Sequence, residues 1–361
     1  MNIQSELKKD GIEIIGRLDT LSVNTLAKNI SEKICKAFPK AHFVPSHLFI
    51  EISRIPMYIA KMPEGFAEAN YFYKNKSIYF KQGVPLKELE KSATHEFIHY
   101  LQEVKDNKDT LIRLGLCEYS EFKTYGMALN EGAVQLATSK ILKQRAEIVK
   151  YYDISFQTTS PNYYPVLCNL VQQLAYLVGE DSLYESTFFS TDTFKLNAIE
   201  LFGKKNFFEI QNLLDRLLNI EEKIITLNNR MLSDDCEGAK SQRISRKIFM
   251  LKKEYKEIYF ETQNKIFTSF FDNEFNKLTT TEAISVYRNN LYNYKNYIGI
   301  SNNYYDFNNY YIEKMTLLDE KYDAILNNTS LAVVSNSKIY NLFNSLKRIF
   351  SFGNKENELQ K

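Results

Sequence analysis

The chain has 361 residues, 44% of them hydrophobic and 25% charged, the balance of a globular protein with two or three structural units. Lys and Arg number 46 against 44 Asp and Glu, so a net charge of +2 argues for neither nucleic acid nor an acidic substrate as partner. No stretch reaches the length of a membrane span, and Met1 to Thr20 lacks the continuous apolar run of a leader.

Cys35, Cys117, Cys168 and Cys236 are far apart and in no paired spacing. They read as free thiols, and with the missing leader they point to a reducing, cytoplasmic setting. The 25 Tyr and 25 Phe without any Trp reflect a compositional bias, so aromatic clusters carry little weight.

In chain order, Leu21, Val23, Leu26, Ala27, Ile30, Ile34 and Ala37 form a helical stripe that Pro39 ends. Leu48 to Ile52 and Pro56 to Ala60 are rich in β-branched and aromatic residues and predict two short strands. Ala69 to Tyr73 and Ser77 to Phe80 flank a polar turn and predict a hairpin. From Pro85 to Val104, an inward stripe of Leu86, Leu89, Ala93, Phe97 and Leu101 predicts a helix.

That helix carries His95-Glu96-Phe97-Ile98-His99, two of only 4 histidines in the chain, the others being His42 and His47. Residues four apart on a helix point the same way, so the two imidazoles can share one metal ion, with Glu96 placed beside it. This is the H-E-x-x-H arrangement of zinc hydrolases, in which the glutamate takes a proton from water. Left without a metal, the same histidines would be ordinary hydrogen-bonding groups on an amphipathic helix.

A catalytic zinc needs a third protein ligand. The metzincin pattern would require Gly and His where Gln102 and Lys105 stand, and no histidine follows His99, so the ligand must be a carboxylate. Glu131, on a predicted helix from Met127 to Leu142, is the best candidate, and Glu103, Glu118 and Glu121 are its rivals. The plainer reading of Glu131 is a helix-start carboxylate favoured by the dipole, with Asn130 as N-cap.

From the first helix to Gln135 the chain resembles the gluzincin branch of the zincin metallopeptidases, which includes thermolysin. His95, Glu96, His99 and the pair Asn130-Glu131 carry the likeness. It implies one Zn2+ held by His95, His99 and Glu131, with Glu96 as general base, and a strand of the 69–80 hairpin at the edge of a peptide-binding cleft. Two departures stand out: Gln135 replaces the aspartate that orients a histidine in thermolysin-like enzymes, and their later histidine has no counterpart. A tyrosine must then steady the transition state, and Tyr125, Tyr163 and Tyr164 are the candidates.

Beyond the site, Pro161 to Gly179, Leu183 to Phe189 and Thr193 to Phe202 read as helices. A three-four repeat from Ile210 to Met231 and a second from Ile244 to Ile258 predict an antiparallel helical hairpin over 207–277, with a coiled-coil seam. Thr279-Thr280-Thr281-Glu282 is a capping box for a helix to about Ile298, and Tyr310 to Leu326 predicts another. Ile339, Leu342, Phe343, Leu346, Ile349 and Phe350, with Lys338, Lys347 and Arg348, make 338–350 a basic amphipathic segment suited to a membrane surface or a partner.

The expected protein is therefore α+β: a small zincin domain over 1–203, with a short mixed sheet, a hairpin, an active-site helix and a glutamate-ligand helix, followed by a helical region over 204–361. The expected activity is zinc-dependent hydrolysis of a peptide or protein substrate. Two alternatives are a zincin-fold binding protein, with its helical region as a surface for self-association, and hydrolysis of a non-peptide amide by the same residues.

Overall fold

The computed structural model describes residues 7–8, 11–63, 68–120, 124–232, 238–298 and 304–327. The basic segment 338–350 and Glu121 lie outside them. Strands between residues 13 and 81 build an N-terminal mixed sheet, and a mostly α-helical region follows.

Strand β1 (Glu13–Arg17) leads into α1 (Thr20–Ala37). Asp19 caps this helix, its carboxylate accepting the Ser22 N–H at 2.9 Å, and Val23, Leu26, Ala27, Ile30 and Ile34 are its buried stripe. Where Leu48 to Ile52 predicts a strand, the chain instead forms helix α2 (Pro45–Arg54). Pro45 stands at its start, and Leu48 and Ile52, one turn apart, both bury against α1. Burial on a helical period overrides the local β propensity of the side chains. The second predicted strand is present as β2 (Met57–Lys61).

The predicted hairpin forms from β3 (Ala69–Phe72) and β4 (Ser77–Lys81), with Ala69 opposite Phe80 and Phe72 opposite Ser77. The sheet order is β1-β2-β4-β3, with β2 and β4 parallel and the other pairs antiparallel, which leaves β3 at an edge. Helix α3 (Leu86–Leu101) packs against β3 through a face that includes Leu89, Ala93 and Phe97, all buried.

This helix ends at Leu101, short of the predicted Val104, because Glu103–Lys105 enters a second sheet as β5. That sheet runs in order through β6 (Leu111–Leu114), β7 (Cys117–Tyr119) and β8 (Thr124–Tyr125), all antiparallel. Its strands are two to four residues long, too short for alternation to show in the sequence. Helix α4 (Met127–Ile141) follows and is buried on nearly every side. Its apolar character all round marks a central helix and not a surface one.

A hairpin of β9 (Glu147–Tyr151) and β10 (Ile154–Thr158) leads to α5 (Pro165–Val178), α6 (Glu180–Phe189) and α7 (Thr193–Phe202). Next come α8 (Lys204–Met231) and α9 (Gly238–Asn276). These two helices run antiparallel: Lys265 meets Glu209, Arg216 meets Glu254, and Met231 meets Ser245. One continuous core takes in α1, α3, α4, α5, α8 and α9.

Among the described residues, those up to 277 together with 293–298 and 304–308 form one compact unit, and 278–292 with 309–327 form a second. Helix α10 (Thr281–Ile298) is capped by the Thr280 hydroxyl, which accepts the Ala283 N–H at 3.1 Å. Within the second unit Arg288 of α10 pairs with Asp319 of α11 (Tyr304–Leu326) at 2.6 Å. Among the described residues, no helix is long and apolar enough to cross a membrane.

Candidate metal centre

The helical period does what the spacing predicts: His95 and His99 stand one above the other on α3, with Nε2 atoms 3.1 Å apart. Glu131, in the first turns of α4, faces both. One carboxylate oxygen is 3.4 Å from His95 Nε2 and the other 3.5 Å from His99 Nε2. Among the described residues this is the group of His, Cys, Asp and Glu side chains able to hold a metal ion.

The donor set fits zinc on two counts. A tetrahedral zinc with bonds of about 2.0–2.1 Å separates its ligand atoms by roughly 3.3 Å, close to the 3.1 Å between the two Nε2 atoms and to the distance from each ring to the Glu131 oxygen nearest it. Each imidazole also has its Nδ1 against an amide oxygen, Gln135 Oε1 at 2.9 Å for His95 and Gln102 Oε1 at 3.1 Å for His99. Those amide oxygens accept ring N–H protons, so both Nε2 lone pairs turn toward each other and toward a carboxylate. Only a cation, proton or metal, makes that arrangement favourable.

The charges show the same preference. Burial alone would lower the His99 pKa, but the Glu131 carboxylate against its ring, helped by Glu96, raises it to about 9. Burial would raise the Glu131 pKa, yet the charge on His99 and the hydrogen bonds from both rings hold it well below the usual carboxylate range.

Glu96 is buried, and one of its oxygens accepts the backbone N–H of Tyr71 on β3 at 2.7 Å. The residue between the histidines is thus tied to the edge strand. Gln135 sits where the resemblance expects an aspartate and makes the expected contact to the ring, as an amide acceptor.

Asn130 does not cap the helix. That position belongs to Gly126, in the left-handed region at φ 74°, where a Cβ would meet the Leu116 carbonyl oxygen at 2.9 Å. Gly126 has no side chain to cap with, so α8 supplies the cap: the Asp215 carboxylate accepts the N–H groups of Gly126 at 3.2 Å and Ala128 at 2.9 Å. Asn130 is buried against Gln102 instead.

The rival carboxylates are engaged elsewhere. Glu103 is not on the histidine-bearing helix but in β5, where it accepts the Tyr71 hydroxyl at 2.6 Å and lies near Lys76 and Lys105. Glu118 pairs with Lys195 at 2.5 Å.

The three tyrosines fall in different places. Tyr164, at the start of α5 with φ 48°, has its ring centroid 6.4 Å from that of His95. The Glu131 charge, and then burial, push its hydroxyl pKa well above the ordinary value. Tyr163 is 38% exposed and directs its hydroxyl to Glu68. Tyr125 lies on β8 and is 42% exposed.

Three contributors escape the sequence reading. Gln102 carries a faint signal, standing three residues after His99 at the helix end. The Tyr71 N–H and Asp215 carry none, since both reach the site only through long-range packing. Comparison with family models, with curated proteins and with solved structures returns no match to this chain.

Proposed function

We propose that the chain is a zinc-dependent peptidase of the gluzincin kind, with His95, His99 and Glu131 as metal ligands and Glu96 as general base. The observation that carries this reading is the convergence of both Nε2 atoms and the Glu131 carboxylate at zinc-like spacings, beside a glutamate on the same helix. A zinc ion bound there supplies a Lewis acid for a water molecule and for the scissile carbonyl.

The chain's own groups do the rest. Glu96, held at one oxygen by the Tyr71 N–H, takes the proton of the attacking water on its other oxygen. It then returns that proton to the leaving amine. Tyr164, near His95, donates its hydroxyl proton in a hydrogen bond to the carbonyl oxygen as negative charge builds there. Edge strand β3, adjoining the metal helix, offers backbone groups along which an extended peptide can lie.

The test pairs metal content of the wild type and Glu131→Ala with cleavage of a broad peptide mixture by the wild type and Glu96→Gln. About one zinc per wild-type chain, lost in Glu131→Ala, with cleavage abolished in Glu96→Gln, supports ligand and base together. Zinc without cleavage of any peptide would favour a binding protein or a non-peptide amide substrate. Wild-type protein that takes up no zinc would sink the site.

A further inference from the structure

A backbone N–H can only donate, and the one on Leu116 donates to Asn130 Oδ1 at 3.1 Å. Leu116 belongs to the two-residue turn, Gly115-Leu116, that joins β6 to β7. Its N–H settles which end of the Asn130 amide is oxygen. The nitrogen end then faces Gln102 Oε1 at 3.2 Å, and Gln102 Nε2 donates back to Asn130 Oδ1 at 3.1 Å. With Gln102 0% and Asn130 1% exposed, no solvent reaches the pair to reverse it.

The orientation of Gln102 passes to the metal centre. Its Oε1 stands 3.1 Å from His99 Nδ1 and accepts from it, so Nδ1 keeps a proton and Nε2 is the nitrogen left for a metal. Ser190 closes the arrangement, donating to the Gln102 carbonyl at 2.6 Å and accepting the Gly115 N–H at 2.8 Å. The turn also tolerates no side chain at its first position. A Cβ on Gly115, at φ 54°, would come within 2.4 Å of both Asn130 Oδ1 and Gln102 Nε2.

We propose that the Gly115-Leu116 turn is a working part of the metal centre. Through Asn130 and Gln102 it orients His99 and sets which ring nitrogen the metal meets, and those two residues are positioning residues. The metal end of this chain of bonds rests on the reading of His99 as a ligand, whereas the polarity of the amides does not.

The test reads the ring protons of metal-free protein by 15N-resolved NMR and zinc affinity by competition with a chromogenic chelator. In the wild type, His99 is expected to show an Nδ1 proton protected from solvent exchange, a measurement that needs no variant to fold. Asn130→Asp keeps the acceptor for Leu116 but sets an oxygen against Gln102 Oε1. It is expected to lose that protection while the His95 signal stays, and to bind zinc about 10- to 100-fold more weakly.

Gln102→Leu, which removes the acceptor, is expected to fall by the same factor. Unchanged His99 protection and unchanged zinc affinity in both Asn130→Asp and Gln102→Leu would overturn the proposal, as would a zinc-binding wild type with no protected Nδ1 proton. A wild type with the protected proton and no affinity for zinc would remove the metal reading and leave the amide relay standing.

Discussion

The backbone N–H of Tyr71 donates to the Glu96 carboxylate at 2.7 Å, joining the edge strand to the residue between the two histidines. Glu96→Gln keeps an oxygen that can accept this bond and removes the group that carries the proton. Peptide cleavage is expected to fall about 100- to 10,000-fold while zinc content and the thermal unfolding midpoint stay near wild type. Cleavage within a few-fold of wild type would take Glu96 out of the reaction.

Gln135 gives His95 an amide acceptor at 2.9 Å, where a carboxylate would make the imidazole a stronger donor to a metal. Gln135→Ala is expected to weaken zinc binding about 10- to 100-fold, and Gln135→Asp to match or exceed the wild type. Chelator competition on the three proteins decides it. Equal affinities would show that this hydrogen bond does not tune the site.

The start of the glutamate-bearing helix is held from outside, by Asp215 of α8 on the N–H groups of Gly126 and Ala128. Asp215→Ala leaves those donors without this acceptor and removes a negative charge from the positive end of the helix dipole. A loss of about 1–2 kcal/mol in urea unfolding is expected, with a smaller loss for Asp215→Asn. An unchanged midpoint would mean that water takes over the cap.

Glu221 of α8 is buried and accepts the Tyr151 hydroxyl at 2.6 Å and the Tyr255 hydroxyl at 3.1 Å. Burial outweighs these bonds and raises its pKa above the ordinary carboxylate value of 4.5. The folded state therefore holds this proton more tightly than the unfolded chain does, so the contribution of Glu221 to stability declines as pH rises from the ordinary carboxylate value through the raised one. Glu221→Gln removes that dependence. Its unfolding midpoint, compared with wild type, is expected to gain at pH 7 relative to pH 4. A gain of the same size at both pH values would sink the assignment.

Much of the site was legible from local chemistry. Four-residue spacing on a helix brings two side chains to one face wherever the helix packs, so His95 and His99 needed only the stripe of Leu89, Ala93 and Phe97 to be placed. The absence of a later histidine called for a carboxylate, and Glu131 is the one that arrives. Leu48 to Ile52 misled because β-branched side chains are only a weak prior, and burial against α1 reversed it.

What only the tertiary structure decided is which distant groups meet the histidines. The helix period acts within a few residues and carries no information about Tyr71, Gln102 with Asn130, or Asp215, each brought in by packing between separate elements. The sequence by itself determined the pair of candidate ligands and the kind of third group that would complete a metal site with them. Packing decided the orientation of each imidazole and the acceptor behind it, because hydrogen-bond direction depends on positions in space that spacing along the chain does not encode.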